Sequence, residues 1–575
     1  MKSTLTEISG FSFRRWSRII PLLILAIAVI TVGTNVKYNS FTSGDAYAAV
    51  TGASKHIVSI VQSNFKGTQL WGHVPVESLA DTQSVTAELT GKQIEAMTRK
   101  VVEMAGTDEG GLSTIFKPSD WICIKINMVC VHGYTEADGP SHVTWSPGKT
   151  TDLRIVKTFM ELLAEERLGK RITLVEGSAL AKPKEMVPEK GFDGWSTKWG
   201  GYYDNLSYED VLADLNKRYP NVKFDYVDLN YDETIEIEVP IGSVSTLNPK
   251  IKYHIPVAVL NCDKMVSISN MKTHSSSRLT LSMKNYIGIA PGKIYGFPKA
   301  LLHQNTNVDE AIIDLFAFKP ACYSIIGGIV GVEGKGPQNG DDIRRNLVIA
   351  GTDPVATDAV GAVVMGFNPW DIDYFHLAAQ KGFGTLDIDS VEVRGTTIEE
   401  ARRPFKKPPY GKIQSYYGRG IRKWAISGFN TGAGLDDTPL GDEATLRPKA
   451  GDTMWVSCLG PDDYVDLKKH FNYKATNGIS YSFCEFLSSE QGDAFLWVDG
   501  DDGLKIWLND QLVYTNPSIG PYKLVKDKVP IKIRRGKNHI LVKAKNTFGD
   551  YCFRLQIVDS ENDGDTMMGL KFREP

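Results

Sequence analysis

The chain has 575 residues, with 65 Lys+Arg against 68 Asp+Glu, 42% hydrophobic and 10% aromatic residues, a composition that excludes disorder throughout and any collagen-like class. At roughly 100–200 residues per domain the length predicts two to four domains, and a net charge of −3 supplies no global reason to expect nucleic-acid binding. Seven cysteines without a single C-x-x-C pair make neither a disulfide scaffold nor a zinc or iron–sulfur motif.

Lys2, Arg14, Arg15 and Arg18 precede the run Ile19 to Val32, the one stretch apolar enough to read as an export or membrane segment. It is shorter than the ~20 residues that span a bilayer comfortably. Ala46-Tyr47-Ala48 offers a small-x-small site downstream, so cleavage and retention as an anchor both fit. Phe13-Arg14-Arg15-Trp16 faintly resembles a twin-arginine signal, although paired arginines in such a region are usually only positive charge. Residues 1–50 are therefore expected to be a signal peptide or anchor, with membrane contact confined to them and the body of the protein extracytoplasmic.

Residues 51–118 read as an N-terminal extension with a helix near Gly91–Met104, and a βαβ-like rhythm occupies 119–398. Trp121–Ile126 reads as a strand, Leu153, Val156, Met160 and Leu163 recur at helical spacing, and Arg171–Val175 is the next strand. Val257–Leu260, Met265–Ile268, Tyr323–Val332 and Leu347–Ala350 are buried-strand candidates, and Pro354–Met365 is a small-residue helix. The expected fold is α/β, a central mixed or mostly parallel sheet with helices on both faces. Residues 399–450, punctuated by Pro404, Pro408, Pro409, Gly411, Gly418 and Gly420, read as a linker. From 451 to 575 the rhythm is strands only, with turn signals such as Asp502-Gly503 and Gly536-Lys537-Asn538, which predicts a separate all-β sandwich.

Ligands of open α/β sheets bind beyond the carboxyl ends of the strands, so polar residues just after strand-like runs are the candidates. Lys125 and Asn127 share one face at the end of the first strand, Glu176 ends the second, and Lys272 and His274 follow Met265–Ile268. Glu333 and Asp353 follow two further runs, although Asp353 before Pro354 is equally a helix N-cap. Thr280 and Lys284, at i, i+4 within Ser275 to Gly292, fall on one face if a helix forms there, and Lys284-Asn285 leads into a glycine-containing loop. Lys272, His274 and Glu176 are the catalytic candidates, with Lys125, Asn127, Lys284, Asn285, Glu333 and Asp353 as ligand-binding residues. His274 suits proton transfer near neutral pH, and His303 is a second candidate for that role. The nine catalytic and ligand-binding candidates are expected in one pocket at the carboxyl rim. Such a rim suits an anionic small molecule, a divalent metal, or both. No Walker A, G-x-G-x-x-G, G-x-S-x-G or H-E-x-x-H pattern occurs.

These motifs carry a resemblance. Lys125-Ile126-Asn127, Glu176-Gly177-Ser178, Met271-Lys272-Thr273-His274, Leu281-Ser282-Met283-Lys284-Asn285, Glu333-Gly334-Lys335-Gly336-Pro337 and Gly351-Thr352-Asp353-Pro354, with Ala356-Thr357-Asp358, occur in the order of the family called domain of unknown function 362, over about 121–395. Some members carry ferredoxin-type cysteine clusters, which this chain lacks. Residues 450–575 more loosely resemble protective-antigen-like and jelly-roll sandwiches found beside extracellular carbohydrate enzymes, on the run Ala494 to Asp510 and on Arg535-Gly536-Lys537-Asn538-His539. That resemblance implies docking to a glycan or an envelope partner. Asp499, Asp501 and Asp502 offer hard oxygens to calcium, against which stands the plainer reading of a polar hairpin turn, since no Glu completes an EF-hand loop.

The expectation is an exported protein, leaning towards an enzyme of unknown reaction, with a non-catalytic envelope binding or structural protein as the alternative. A reporter active only in the cytoplasm, fused after Gly52, is expected to stay silent; strong activity there would show that the segment does not export.

Overall fold

The computed structural model describes residues 56–64, 85–107, 110–129, 147–179, 195–196, 198–199, 203, 205–304, 307–408, 421, 423–449, 451–459, 464–521, 523, 527–559, 567 and 569–572. The predicted export segment lies outside the described residues.

The α/β region is built from β1 (His56–Gln62), α1 (Gly91–Met104), β2 (Trp121–Lys125), α2 (Leu153–Glu165), β3 (Arg171–Glu176), α3 (Tyr208–Arg218), β4 (Lys223–Asp228), β5 (Thr234–Glu238), β6 (Lys252–Pro256), α4 (Val257–Asn261), β7 (Lys264–His274), β8 (Arg278–Thr280), α5 (Val308–Ala317), β9 (Tyr323–Glu333), β10 (Asp341–Gly351), α6 (Pro354–Val364) and β11 (Val391–Gly395). The main sheet runs β11-β1-β10-β9-β7-β2-β3-β4, with β8 paired to β7. Neighbours are parallel along its length except at β10, which is antiparallel to both β9 and β1. The mixed, mostly parallel sheet expected from the βαβ rhythm is present.

Period-two alternation divides the apolar residues between two cores. Ile122 and Ile124 of β2 pack with Ile172 and Leu174 of β3 under α1, α2 and α3, whereas Cys123 and Val175 face the other way, into the core holding α5 and α6. Lys125 falls on the Cys123 face by the same alternation, and there it is fully buried. Local chemistry starts the helices where they are needed. Thr90 and Gln93 form a capping box for α1, and Asp353 caps α6 with Pro354 at its first position.

Four expectations change. Val257–Leu260 lies in the short helix α4, because β6 ends at Pro256 and an apolar run of this length carries no periodicity to separate strand from helix. Ser275 to Gly292 does not form a helix bearing Thr280 and Lys284 on one face: Thr280 ends β8 and Lys284 opens a 3-10 turn, Lys284–Ile289. The 51–118 stretch supplies β1, an interior strand between β10 and β11, so it belongs to the α/β sheet. Finally, the predicted linker contains β12 (Lys423–Ser427) and β13 (Asn430–Thr431), both paired to a sandwich strand.

The remaining sandwich strands are β14 (Trp455–Leu459), β15 (Tyr464–Asp466), β16 (Gly478–Ser488), β17 (Gly492–Gly500), β18 (Leu504–Leu508), β19 (Gln511–Asn516), β20 (Asp527–Ile533), β21 (Gly536–Asn546), β22 (Cys552–Val558) and β23 (Leu570–Phe572). They form antiparallel sheets ordered β14-β12-β16-β21-β18-β19 and β15-β22-β17-β20, with one apolar core containing Trp424, Phe486, Leu496 and Phe553. Asn368, just after α6, donates from Nδ2 to Met567 O at 3.0 Å, which ties the sandwich to the α/β region.

Trp424 is 1% exposed and meets Phe553 edge-on at 5.2 Å between ring centres. Trp424→Ala is expected to destabilise the sandwich by about 3–5 kcal/mol, read as a lower denaturant midpoint; an unchanged midpoint would remove β12 from the core.

Candidate functional site

Because β2, β3, β7 and β9 run parallel, their carboxyl ends share one edge, and a polar network is built there. Lys125 Nζ donates to Ile126 O at 2.6 Å, Glu176 Oε2 at 3.0 Å and Asn285 Oδ1 at 3.1 Å, which uses all three of its protons. Met128 N donates to the same Glu176 oxygen at 2.9 Å. Asn285 returns its amide to Lys125 O at 2.9 Å and accepts from Asn127 Nδ2 at 3.2 Å. Lys272 Nζ donates to Asn127 Oδ1 at 2.5 Å and to Lys149 O at 3.1 Å. Lys125, Asn127, Glu176, Lys272 and Asn285, drawn from four separate segments, thus form one buried cluster. Burial lowers the Lys125 pKa and the Glu176 carboxylate pulls it back up.

Above the cluster lies a cavity of about 430 Å³, lined among others by Asn127, Glu176, His274, Thr280, Lys284 and Asn285. Lys299 and Lys335 also reach its wall. Burial lowers Lys284 to about 8, with Asp309 acting in the opposite sense. It lowers Lys299 to about 7, helped by the Lys125 charge and resisted by Glu176 and Asp228. Lys299 Nζ donates to Asn230 Oδ1 at 2.6 Å and to Ala290 O.

Seven of the nine expected rim residues meet here, with Lys125 and Lys272 beneath the cavity and Asn127, Glu176, His274, Lys284 and Asn285 on its wall. Two do not. The Glu333 side chain turns outward to Lys406, accepting from its backbone N–H at 2.9 Å, and only the loop after it, at Lys335, joins the wall. Asp353 follows β10, the antiparallel strand, and therefore sits at the opposite edge. There its Oδ2 lies 2.6 Å from His56 Nδ1 and accepts from Thr385 N at 3.0 Å, and its carboxylate raises the His56 pKa above the usual value. The helix-cap reading of Asp353 is the one its geometry fills. The His303 side chain lies outside the described residues.

Two residues went unnoticed in the sequence. Lys299 sits at φ 67° after a cis Phe297-Pro298 bond, in a loop with no pattern to mark it. Asp358 lies inside a motif, yet its role is spatial: buried on α6, it accepts from Ser282 N at 2.7 Å and Met283 N at 2.9 Å, and burial pushes its pKa up to about 8. Those two bonds hold the turn that presents Lys284.

In the sandwich, Asp499 accepts from Lys523 N, and Asp502, at φ 62°, accepts from Thr547 N at 2.6 Å. Burial and the neighbouring carboxylates raise Asp501 to about 6. Both bonds tie backbone N–H groups of distant segments to the Asp499 and Asp502 carboxylates. Among the described residues no group of three His, Cys, Asp or Glu is placed to hold a metal ion, so Asp499, Asp501 and Asp502 are not assigned to calcium.

The architecture defines a mostly parallel α/β domain with a lysine-lined cavity at its carboxyl edge. Residues 122–363 of it carry the domain of unknown function (DUF362). A thylakoid-associated protein of Synechocystis sp. is 28% identical over 130 residues, 22% of this chain and 39% of the relative, so the match spans about two fifths of that relative's length. A β-glucosidase structure from Kluyveromyces marxianus matches 24% of this chain and 16% of its own at 13% identity and a TM-score of 0.18. The PA14 domain of the MpAFP antifreeze protein matches 28% of this chain and 93% of its own at 16% identity, also with a TM-score of 0.18. Among the described residues, no helix is long and apolar enough to cross a membrane.

Glu176→Gln would leave the Lys125 charge buried without its counter-charge. A loss of about 3–5 kcal/mol is expected, measured by denaturant unfolding, and adding Lys125→Met should restore much of it. A neutral single substitution would mean that the pair is not buried as described.

Proposed function

We propose that this is an exported protein whose α/β domain binds a small anionic molecule in the carboxyl-edge cavity and acts on it as an enzyme, with the sandwich docking it to a glycan or envelope partner. One observation carries the reading: the described cavity wall holds three lysines, Lys284, Lys299 and Lys335, and one carboxylate, Glu176, already engaged by Lys125 and Met128 N. That donor set suits an anion better than a chelated divalent cation, which demands several free oxygens. Burial of Lys284 and Lys299 makes unneutralised charge there costly, and an anion offsets that cost. His274 and Glu176 on the same wall supply groups for proton transfer.

The pH dependence follows from Lys299. It titrates at about 7 because burial disfavours its charge, and an anion beside it favours the charged form and raises that value. Below the free value the group is protonated with or without the anion, and affinity is full. Between the free and the raised value binding takes up a proton, and affinity falls by up to about tenfold per pH unit. Sulfate, whose charge is constant across this range, isolates the protein's own titration. Calorimetry is expected to show sulfate binding strongest near pH 6, weaker by about tenfold at pH 8.5, and reduced by Lys299→Met. Binding that ignores pH, or no binding, would remove the anion reading.

A further inference from the structure

The lysines of this site are not equivalent. Lys125, Lys272 and Lys299 each donate to at least two acceptors. Lys284 is also buried, at 4% exposure, and lines the cavity, yet it makes no hydrogen bond or ion pair with any described residue. An ammonium held away from water without acceptors is relieved by losing its proton, and the neutral amine that results carries an exposed lone pair. The Asp309 carboxylate resists that loss, but burial outweighs it, and the lowered titration near 8 agrees. A second polar group waits at the same wall. Thr280 Oγ1, at the end of β8, is buried with no hydrogen-bond partner.

We infer that the Lys284 amine is a nucleophile toward the carbonyl carbon of a small anionic aldehyde or ketone, with which it forms an imine inside the cavity. The inference rests on the anion-binding reading of this site and deepens it by naming the substrate class. The Nζ lone pair attacks the carbonyl carbon, and the C=O π pair moves onto oxygen, which receives one proton from nitrogen to give a carbinolamine. The carbon–oxygen bond then breaks as nitrogen forms the C=N bond, and the hydroxyl leaves with the second nitrogen proton as water. One amine and one carbonyl give one imine and one water, so no oxidant or reductant is consumed. Thr280 Oγ1 is a hydrogen-bonding group for the carbonyl oxygen, while His274 and Glu176 are available to move the protons. Lys299, with Lys335, takes the anionic end.

The test uses the full chain with glyoxylate, an anionic aldehyde small enough for the cavity, and cyanoborohydride to reduce any imine to a stable adduct. Peptide mapping over time is expected to show Lys284 modified roughly tenfold faster than Lys532, whose side chain is 85% exposed, with sulfate slowing the Lys284 adduct and leaving the Lys532 adduct unchanged. The rate at Lys284 should rise from pH 6.5 to 8.5 as the amine loses its proton. Lys284 left unmodified, or modified no faster than Lys532, overturns the inference. If sulfate still binds in that case, the anion site stands and only the imine chemistry falls; if sulfate does not bind either, both readings fall together.

Discussion

The buried pairing of Lys125 with Glu176 is the interaction on which the carboxyl edge depends. An ammonium and a carboxylate at the ends of adjacent parallel strands are held 3.0 Å apart with almost no exposure, and neither is tolerable there without the other. The remaining bonds on both groups come from Ile126 O, Asn285 and Met128 N. They pull the 3-10 turn and the loop after β2 onto the sheet. Gly288 shows how tight the seat is. A Cβ there would lie 2.3 Å from Glu176 Oε1 and 2.5 Å from Lys125 Nζ, so the turn approaches the ion pair with bare backbone.

That seat determines what the cavity can do. The paired lysine is spent on structure, as is Lys272 on Asn127, which leaves the lysines of the outer wall to face a ligand. Asp358 extends the same logic from α6: it spends a buried carboxyl on two backbone N–H groups and so holds the turn that places Lys284 on the cavity wall. The cavity wall and the fold are therefore maintained by overlapping sets of hydrogen bonds.

The reversed direction of β10 is the second constraint. A strand that runs against its neighbours delivers its end to the other side of the sheet, and with it Asp353, which there caps α6 and pairs with His56. β1 fills the gap between β10 and β11, so a segment far upstream closes the sheet. In the sandwich, β12 plays a comparable part by bringing Trp424 into the core from a stretch rich in proline and glycine on its amino side.

Hydrophobic alternation and helical spacing in the sequence were enough to establish the α/β region, the change to strands only, and which residues end strands β2 and β3, but not β7, which was expected to stop at Ile268 and runs on to His274. They suffice because apolar period is a local property, and a side chain's face follows from its position along the strand. Strand direction, register and loop path are not local. Nothing around Asp353 records that β10 is antiparallel, nothing around Lys299 records that Asn230 waits across the chain, and the Val257 run reads alike as helix or strand. Only tertiary structure decided these points, because each depends on which distant segment supplies the hydrogen-bond partner, and a buried polar group accepts whatever partner the whole fold brings within reach.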